Sequence, residues 1–272
     1  MAMRSLAHTH RRFDRDSNLA LEYRKFMLAY EQLGHMERVP PSEVENPRAW
    51  YLPHHAVIQS KIRIVFDASR KTSLGKCLND FLMKGPALQS DLALILLNWR
   101  RYRYAFTADV VKMFRQIRVA PDDQDFQRIV WSPSRSDPPI YFRSTTITYG
   151  TACAPYLAIR TIRQIASDEG ARYPLGASCL NNNTYVDDIF AGADELSAAK
   201  RIREELVSML RAAGVELDKW AANHADLLPS QAAQREDDKI KSIADGESIK
   251  TLGVRWNQRF DEFSFTTLNF ED

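Results

Sequence analysis

Two adjacent acids, Asp187 and Asp188, lie between two short apolar runs at residues 184–186 and 189–191. Two such runs predict two strands with the acidic dipeptide at the turn between them, which is the pattern of a β-hairpin. Carboxylates placed this closely repel each other and are costly to desolvate unless a cation lies beside them. The pair is therefore a candidate ligand for Mg²⁺, which takes one or two carboxylates together with substrate phosphates.

An isolated Asp-Asp dipeptide is more often a solvent-exposed turn than a metal site. The residues around the pair therefore decide between these two interpretations. The run Tyr185-Val186-Asp187-Asp188 is more specific, because a Tyr-x-Asp-Asp run would arise by chance in roughly 3% of chains of this length. A third acid, Asp109, follows an apolar strand segment at 104–106. A lone acid there is usually a cap or turn residue, but two metal ions about 4 Å apart require carboxylates from different strands.

Bulk composition sets few limits on the partners. The 272 residues carry 37 Lys+Arg against 35 Asp+Glu, a net charge of +2, so any surface that binds nucleic acid must be local. Cys77, Cys153 and Cys179 lack the short spacings of a zinc site or a disulfide framework, which favours a reduced, intracellular and cytoplasmic setting. No apolar stretch is long enough for a signal-peptide core or a membrane span, so we expect no membrane partner.

Apolar spacing predicts the elements that must position the acids. Apolar residues recur at three- and four-residue steps after the capping segment 16–18, and Gly34 ends that pattern; they are Leu19, Tyr23, Phe26, Tyr30 and Leu33. Alternating apolar and charged residues predict a strand at 61–67. Further helices are predicted at about 90–101, 154–169 and 199–213, and further strand pairs at 127–131 with 140–148 and at 250–256 with 260–265. Helices mixed with short antiparallel strands predict an α+β domain.

Blocks of sequence around the acids occur in one order across almost the whole chain. They lie at 51–57, 61–69, 78–80 with 85–88, 108–110 with Phe114, 149–150 with 154–155, 185–188, 219–220 and 252–254. In this order the blocks resemble the reverse transcriptases of the Bel/Pao class of long-terminal-repeat retrotransposons. The set is specific as a whole, whereas each block other than Tyr185-Val186-Asp187-Asp188 is weak by itself.

The resemblance implies a right-hand polymerase of the α+β class, with fingers and a ferredoxin-like palm built from an antiparallel sheet and packed helices. It implies a helical segment of the fingers at 1–50, the fingers at 51–105, the palm at 106–225 with a fingers segment at about 120–148, and the palm end with a primer-grip hairpin at 226–272. Because the chain stops soon after that hairpin, we expect a polyprotein fragment or truncated element without thumb, connection and RNase H domains.

The resemblance also implies the roles of the acids. Asp109, Asp187 and Asp188 match the catalytic, metal-binding acids of the family, and the main-chain carbonyl of Val110 would complete one of two Mg²⁺ sites, which Mn²⁺ can also occupy. The two ions would activate the primer 3′-hydroxyl and neutralise the triphosphate during in-line attack. The implied partners are an RNA or DNA template, a nucleic-acid primer and deoxynucleoside triphosphates.

Other matched residues are implied to bind the nucleotide. Arg63 would contact the triphosphate through its bidentate guanidinium, Phe114 would exclude a ribose 2′-hydroxyl, and Tyr149-Gly150 would face the sugar and the template base. Many relatives have Gln-Gly at this last position, so Tyr149 departs from the retroviral pattern and leaves open how the sugar is held. The ordinary alternatives are an exposed strand charge for Arg63 and a core aromatic ring for Phe114.

Lys219 and the pair Leu252-Gly253 complete the implied site. Lys219 would lie near the leaving pyrophosphate as a candidate general acid, and an ordinary surface lysine is the equal alternative. Leu252 and Gly253 match the hairpin that grips the primer backbone, and they make no metal contact.

The function predicted from these residues is template-directed DNA synthesis by an RNA-directed DNA polymerase. One alternative is a truncated, weakly active or inactive relic that acts as a nucleic-acid-binding module, since no thumb is expected to hold the primer. Another alternative is an RNA-dependent RNA polymerase, which Phe114 argues against because that ring should exclude ribonucleotides.

Overall fold

The computed structural model describes residues 1–59, 61–229, 249–251 and 254–265. The implied primer-grip residues Leu252 and Gly253 lie outside these ranges. The chain forms two compact units, of which the first comprises Met1–Ala87 with Phe114–Ala158 and the second comprises Leu88–Met113 with Ile159–Asp272. Each unit is therefore built from two separate stretches of the chain.

Helices and antiparallel strands alternate through the described part of the chain. The helices are α1 (Ala2–Phe13), α2 (Ser17–Gln32), α3 (Leu92–Trp99), α4 (Pro121–Gln124), α5 (Ala154–Glu169), α6 (Pro174–Asn182) and α7 (Leu196–Ala212). The strands are β1 (Met36–Arg38), β2 (His54–Ile58), β3 (Ile62–Phe66), β4 (Tyr104–Val110), β5 (Arg128–Trp131), β6 (Ile140–Ser144), β7 (Thr184–Tyr185), β8 (Asp188–Ala193), β9 (Leu217–Ala222), β10 (Ile249–Thr251), β11 (Val254–Asn257) and β12 (Glu262–Phe265). All pairings between these strands are antiparallel, which confirms the predicted α+β class. Within the same ranges, no helix has the length and apolar character needed to cross a membrane.

The first unit contains a three-stranded sheet of order β1-β6-β5 and a separate hairpin of β2 and β3, and α2 packs against β1 and β3. Helix α2 begins where the Asp16 carboxylate accepts a hydrogen bond from the Leu19 amide, and it ends just before Gly34, which has a φ of +70°. Its apolar stripe is buried, and Tyr23 stacks on Trp131 with 5.1 Å between ring centroids. The predicted helix is therefore confirmed in its start and in the buried face at Leu19, Tyr23 and Tyr30. The prediction is wrong for Leu33, which follows the last helical residue and is 57% exposed.

The second unit contains a four-stranded sheet of order β7-β8-β4-β9. Trp99, at the end of α3, is 1% exposed and meets the Trp256 ring edge-on with 4.6 Å between centroids. Its indole Nε1 donates a hydrogen bond to the Ala191 carbonyl of β8 at 3.2 Å. This packing holds α3 on the central strand β8, which begins at one of the predicted acids.

Helix α6, strand β9 and the C-terminal strands of the second unit differ from the elements predicted from the sequence. The predicted strand at 250–256 is wrong as a continuous element, because its two parts form β10 and β11, which pair with each other through Lys250 and Arg255. Strand β11 then pairs with β12. Helix α6 has no predicted counterpart, and it begins with Pro174, whose fixed φ suits the first turn of a helix.

His54 is a buried titratable group in the core of the first unit. It is 3% exposed, its Nε2 donates a hydrogen bond to the Val130 carbonyl at 2.9 Å, and its Nδ1 accepts one from the Tyr23 hydroxyl. Burial lowers the pKa of His54 to about 4, although the bond to the Val130 carbonyl opposes this shift. The imidazole is therefore neutral in the folded protein at neutral pH.

We expect His54 to cost the protein about 2–3 kcal/mol of stability when the pH falls from about 7.5 to 4.5. The unfolded imidazole takes up a proton near pH 6.5 and the folded one only near pH 4, so its contribution is present above pH 6.5 and is lost as the pH falls. Urea denaturation at several pH values measures the free energy of unfolding, which should fall less steeply with decreasing pH for His54→Asn than for wild type. His55→Asn, at the half-buried neighbour, is the control, and equal slopes for His54→Asn and wild type would contradict the prediction.

Candidate active site

The three predicted acids lie at one end of the central strand pair of the second unit. Asp109 in β4 and Asp188 in β8 are directly opposite in the antiparallel register, where facing Cα atoms are about 4.5–5.5 Å apart and their side chains share a face. Asp187 precedes β8, and its carbonyl accepts a hydrogen bond from the Val110 amide at 2.8 Å. The fold thus brings together acids from two distant segments of the chain.

The hairpin that carries Asp187 and Asp188 is tighter than predicted. Tyr185, at the end of β7, pairs with Asp188, at the start of β8, so Val186 and Asp187 form the turn. Val186 has a φ of +56°, a left-handed conformation that tight hairpin turns require and that β-branched residues rarely adopt. The prediction that both acids lie in the turn is therefore wrong for Asp188, whose place in β8 sets it opposite Asp109.

Asp109 and Asp188 are partly buried, and burial and neighbouring carboxylates raise the pKa of each. The pKa of Asp188 is raised to about 6, first by burial and then by the charges of Asp187 and Asp109. The pKa of Asp109 is also raised by burial, against the opposing effect of a hydrogen bond from Lys219. A bound cation would reduce the repulsion between these partly desolvated carboxylates.

Lys219 lies beside the acids because of an irregularity in β9. Its Nζ donates a hydrogen bond to Asp109 Oδ2 at 2.6 Å, although its side chain is 71% exposed. Thr107 pairs with Ala221 and Asp109 with Asp218, so the register shifts between them, and Lys219 has a φ of +51°. A β-bulge re-aims side chains. In a regular strand Lys219 would point away from the face that Asp218 shares with Asp109.

Asp218 is a further acid of this cluster that is not among the predicted site residues. It lies opposite Asp109 in β9, and its charge helps to raise the pKa of Asp109, after burial. The signal that identifies it in the sequence is its position directly before Lys219.

Within the described ranges, no group of three or more His, Cys, Asp or Glu side chains is arranged to hold a metal ion. The cation that Asp109 contacts is the Lys219 ammonium.

Four of the residues implied to bind the nucleotide, Arg63, Phe114, Tyr149 and Gly150, lie in the first unit. The fifth, Lys219, lies in the second unit with the acids. Arg63 is exposed on β3 and makes no ion pair with any residue that the structure describes. Phe114 lies in the 3-10 turn Met113–Gln116 and is only half-buried, whereas its chain neighbour Met113 is 3% exposed. The Phe114 ring is therefore not an ordinary core side chain.

The Tyr149-Gly150 loop is held tightly by its neighbours in the first unit. The Tyr149 hydroxyl donates a hydrogen bond to the Ile64 carbonyl, and Asn79 donates one to the Gly150 carbonyl at 3.1 Å. Gly150 has a φ of +94°, and a Cβ added there would lie 3.0 Å from the Phe66 carbonyl oxygen. Only glycine fits that position without strain.

Arg115 is a residue near this loop that the sequence does not single out. Its guanidinium lies over the rings of Tyr30, Phe26 and Tyr149, with its Cζ 5.0, 5.5 and 5.6 Å from the respective ring centroids. Cation–π attraction of this kind holds the charged group and the rings together. Phe26 and Tyr30 lie on α2, whereas Tyr149 and Arg115 come from segments far along the chain, so spacing in the sequence carries no signal for this cluster of rings.

A basic cleft of about 780 Å³ lies between α1 and the segment that follows β3, within the first unit. Its basic lining residues are Arg4, Arg11, Arg12, Arg70 and Lys71, together with His8 and His55. The lining contains one acid, Asp67, whose carboxylate accepts a hydrogen bond from the Ser69 amide at 3.1 Å. The arginines and the lysine of the cleft form no ion pair with other described residues, so the lining is strongly positive.

Comparison with known protein families assigns a family to most of the chain. A family model described as reverse transcriptase (RNA-dependent DNA polymerase) matches residues 59–255. This range is well over half of the 272 residues, and it contains every residue implied to act in catalysis, metal binding, nucleotide binding and primer grip. No curated protein matches the chain. The family match extends over parts of both units.

Proposed function

Because the chain belongs to the reverse transcriptase family of RNA-dependent DNA polymerases, we propose that it carries out template-directed DNA synthesis by two-metal phosphoryl transfer at Asp109, Asp187 and Asp188. The observation that carries the proposal is the cluster of these acids at the end of the β4–β8 pair, with the Lys219 ammonium on Asp109. Membership of the family makes the chain a nucleotidyltransferase, and the acid cluster offers the charge for that chemistry.

Enzymes of this family use divalent metal ions, and the donor chemistry of the acid cluster suits them. Asp109, Asp187, Asp188 and the Val110 carbonyl would hold two Mg²⁺ ions, because oxygen ligands suit Mg²⁺ and the raised pKa values of Asp109 and Asp188 reflect charge that a cation would relieve. Mn²⁺ accepts the same oxygen ligands. When bound, the ions would activate the primer hydroxyl and neutralise the triphosphate.

Lys219 is proposed to protonate the leaving pyrophosphate as a general acid. Burial is the largest single effect on the pKa of Lys219 and acts to lower it. The hydrogen bond to Asp109 and the charges of Asp109, Asp187 and Asp188 together outweigh burial, so the pKa is raised. The side chain therefore carries a proton at neutral pH. Because it is 71% exposed, its ammonium is free to turn from Asp109 toward a phosphate. Loss of pyrophosphate-release rate in Lys219→Met, with primer binding unchanged, would support this role, and an unchanged rate would count against it.

The proposed substrates are deoxynucleoside triphosphates, a nucleic-acid primer and an RNA or DNA template. In the first unit, the exposed Arg63 is proposed to bind the triphosphate, and Phe114 and Tyr149-Gly150 are proposed to contact the sugar and the template base. The fingers and palm are proposed at the boundaries predicted from the sequence. The tests are the kinetics of primer extension described below, in which Arg63→Ala should raise the nucleotide KM more than it lowers kcat.

Origin in a Bel/Pao retrotransposon polyprotein is a further part of this proposal, and it rests on the order of the sequence blocks. The open reading frame around the coding sequence provides the test. RNase H and integrase coding regions downstream would support the assignment, whereas an unrelated reading frame on both sides would refute it.

Primer extension tests the proposed polymerase activity. Wild-type protein, given an oligo(dT) primer on poly(rA), deoxythymidine triphosphate and Mg²⁺ or Mn²⁺, should extend the primer, and a chelator should abolish extension. Asp187→Asn should give no extension, because it removes a charge from the proposed metal ligands. Equal extension by wild type and Asp187→Asn would overturn the assignment of the acids.

A nucleic-acid-binding module without polymerase activity is the second candidate function, and the basic cleft of the first unit is the observation that favours it. Its arginines and lysine suit backbone phosphates, which supply affinity that is independent of sequence. The lining contains no Phe, Tyr or Trp on which bases could stack. Nucleic-acid binding by a wild-type protein that extends no primer with either metal ion would favour this candidate.

We expect Arg11→Glu to weaken nucleic-acid binding about tenfold for every sequence tested and to lower the salt slope of the binding constant by about 1. The reason is the loss of one phosphate contact in the cleft. Because Arg11 is exposed on α1, the fold should be unaffected. Fluorescence anisotropy of a labelled oligonucleotide across a salt series measures both quantities. Lys25→Glu, at an exposed position on α2 outside the cleft, is the matched control, and equal losses in the two variants would contradict the prediction.

A further inference from the structure

One side chain, that of Gln89, holds the backbone of the hairpin that carries the acids. Its Nε2 donates a hydrogen bond to the Thr184 carbonyl at 3.1 Å, and its Oε1 accepts one from the Val186 amide at 3.0 Å. The two contacts span Tyr185 and end directly before Asp187. An amide side chain has one donor end and one acceptor end, so these two partners set both the position and the orientation of Gln89 against the turn.

The contact from Gln89 is made at the strained residue of the hairpin. Val186 has a φ of +56°, and a left-handed conformation is strained in a β-branched residue, so it persists only where the surroundings enforce it. On the other side of the turn, the Asp187 carbonyl accepts a hydrogen bond from the Val110 amide at 2.8 Å. The turn is therefore held from β4 on one side and from Gln89 on the other.

Gln89 is a firm support because its own neighbours are fixed. The Leu88 carbonyl accepts a hydrogen bond from Arg163 Nη2 of α5 at 2.5 Å. On the other side, the Asp91 carboxylate caps α3 by accepting a hydrogen bond from the Ala93 amide at 2.7 Å. The backbone on both sides of Gln89 is therefore fixed by hydrogen bonds. A side chain on a fixed backbone can hold a site in a more precise geometry than a side chain on a mobile one.

We propose that Gln89 is a positioning residue for the reaction of the acid cluster. By holding the left-handed backbone of Val186, it sets the direction in which the carboxylates of Asp187 and Asp188 present their oxygens to metal ions. It touches neither the acids' side chains nor a substrate, and its role rests on the proposed polymerase function. If Gln89 had only a structural role, its hydrogen bonds to the hairpin backbone would contribute to the stability of the fold and not to the reaction rate.

The test compares Gln89→Leu, which removes both hydrogen bonds at similar volume, with Gln164→Leu, which removes an exposed glutamine of α5 in the same unit. In primer extension, Gln89→Leu should lower kcat roughly 10- to 100-fold with little change in nucleotide KM, because a displacement of about 1 Å can cost that much. The Mg²⁺ concentration for half-maximal activity should rise several-fold. Gln164→Leu should leave all three quantities unchanged.

A second measurement does not depend on activity. Hydrogen exchange of the peptide that contains residues 184–188 should be faster in Gln89→Leu than in wild type, and Fe²⁺-dependent backbone cleavage near Asp187 should weaken. The substitution Val186→Gly supplies a rescue, since glycine adopts the left-handed conformation without cost. In that background, Gln89→Leu should lower kcat by a smaller factor than in the wild-type background.

These outcomes separate failure of this inference from failure of the proposed function. An active wild type with the same kcat and metal requirement in Gln89→Leu would overturn the positioning role, even if the variant melts at a lower temperature. Unchanged hydrogen exchange at 184–188 would overturn it as well. A wild-type protein with neither primer extension nor Fe²⁺-dependent cleavage at the acids would refute the proposed function, and the positioning role with it.

Discussion

The Asp188→Asn variant is expected to lose polymerase activity by about 10³-fold and yet to be more stable than the wild-type protein at neutral pH. Asparagine keeps the shape of the side chain and removes its charge. Stabilisation of a transition state by bound metal ions is worth several kcal/mol, and each ~1.4 kcal/mol corresponds to a factor of ten in rate. Loss of one ligand charge opposite Asp109 should therefore remove most of the catalysis.

The gain in stability follows from repulsion within the acid cluster. The pKa of Asp188 is about 6 in the folded protein, above the ordinary value of 3.8, because of burial and the charges of Asp187 and Asp109. A group with a raised pKa favours the folded state below its ordinary pKa, and that contribution is lost as the pH rises through 6. After a discount for solvent screening of this partly exposed group, the metal-free wild type carries a cost of about 1 kcal/mol at neutral pH.

Thermal unfolding in the presence of a chelator measures this effect. At about pH 7.5, Asp188→Asn should unfold roughly 2–4 °C above wild type, and the difference should vanish below about pH 4, where the wild-type carboxyl is protonated. Asp168→Asn, at an exposed acid of α5 in the same unit, should change neither activity nor stability. Wild-type activity in Asp188→Asn would rule out its proposed role, and a lower Tm at neutral pH would contradict the account of repulsion.

Phe114→Val is expected to raise the incorporation of ribonucleotides relative to deoxynucleotides roughly 10- to 200-fold, the range that a few side-chain carbons in a pocket can discriminate. Phe114 is half-buried in its 3-10 turn while Met113 beside it is 3% exposed. Its ring is therefore available to contact a ligand. Removing most of the ring should make room for a 2′-hydroxyl.

The measurement is the ratio of kcat/KM for uridine triphosphate to that for deoxythymidine triphosphate in primer extension. Phe126→Val, at a 38% exposed phenylalanine of the first unit, is the matched control and should leave the ratio unchanged. The same ratio in Phe114→Val and wild type would refute the role of the ring. Efficient ribonucleotide incorporation by the wild-type protein would instead favour an RNA-dependent RNA polymerase.

Local sequence signals account for the parts of the fold that were predicted correctly. Helix α2 has a capping acid at Asp16, a stripe of apolar residues at helical spacing and Gly34 after its end, and all of these act within a few residues. The α+β class follows in the same way from alternation and periodicity. The predicted strand at 250–256 was wrong because its residues alternate as a strand should, and only the pairing of Lys250 with Arg255 shows that the chain reverses inside it.

The candidate acids could be predicted from the amino-acid sequence, because Asp109 and Tyr185-Val186-Asp187-Asp188 have a recognisable type, spacing and order. How those acids are held could not be predicted and is seen in the folded chain alone. The left-handed backbone of Val186 and of Lys219 runs against the preferences of both residue types, so neighbours distant in the chain must impose it. Gln89 holds the Val186 backbone, and pairing with β4 in a shifted register holds the Lys219 backbone. Contacts between residues far apart in the chain leave no periodic pattern in the sequence.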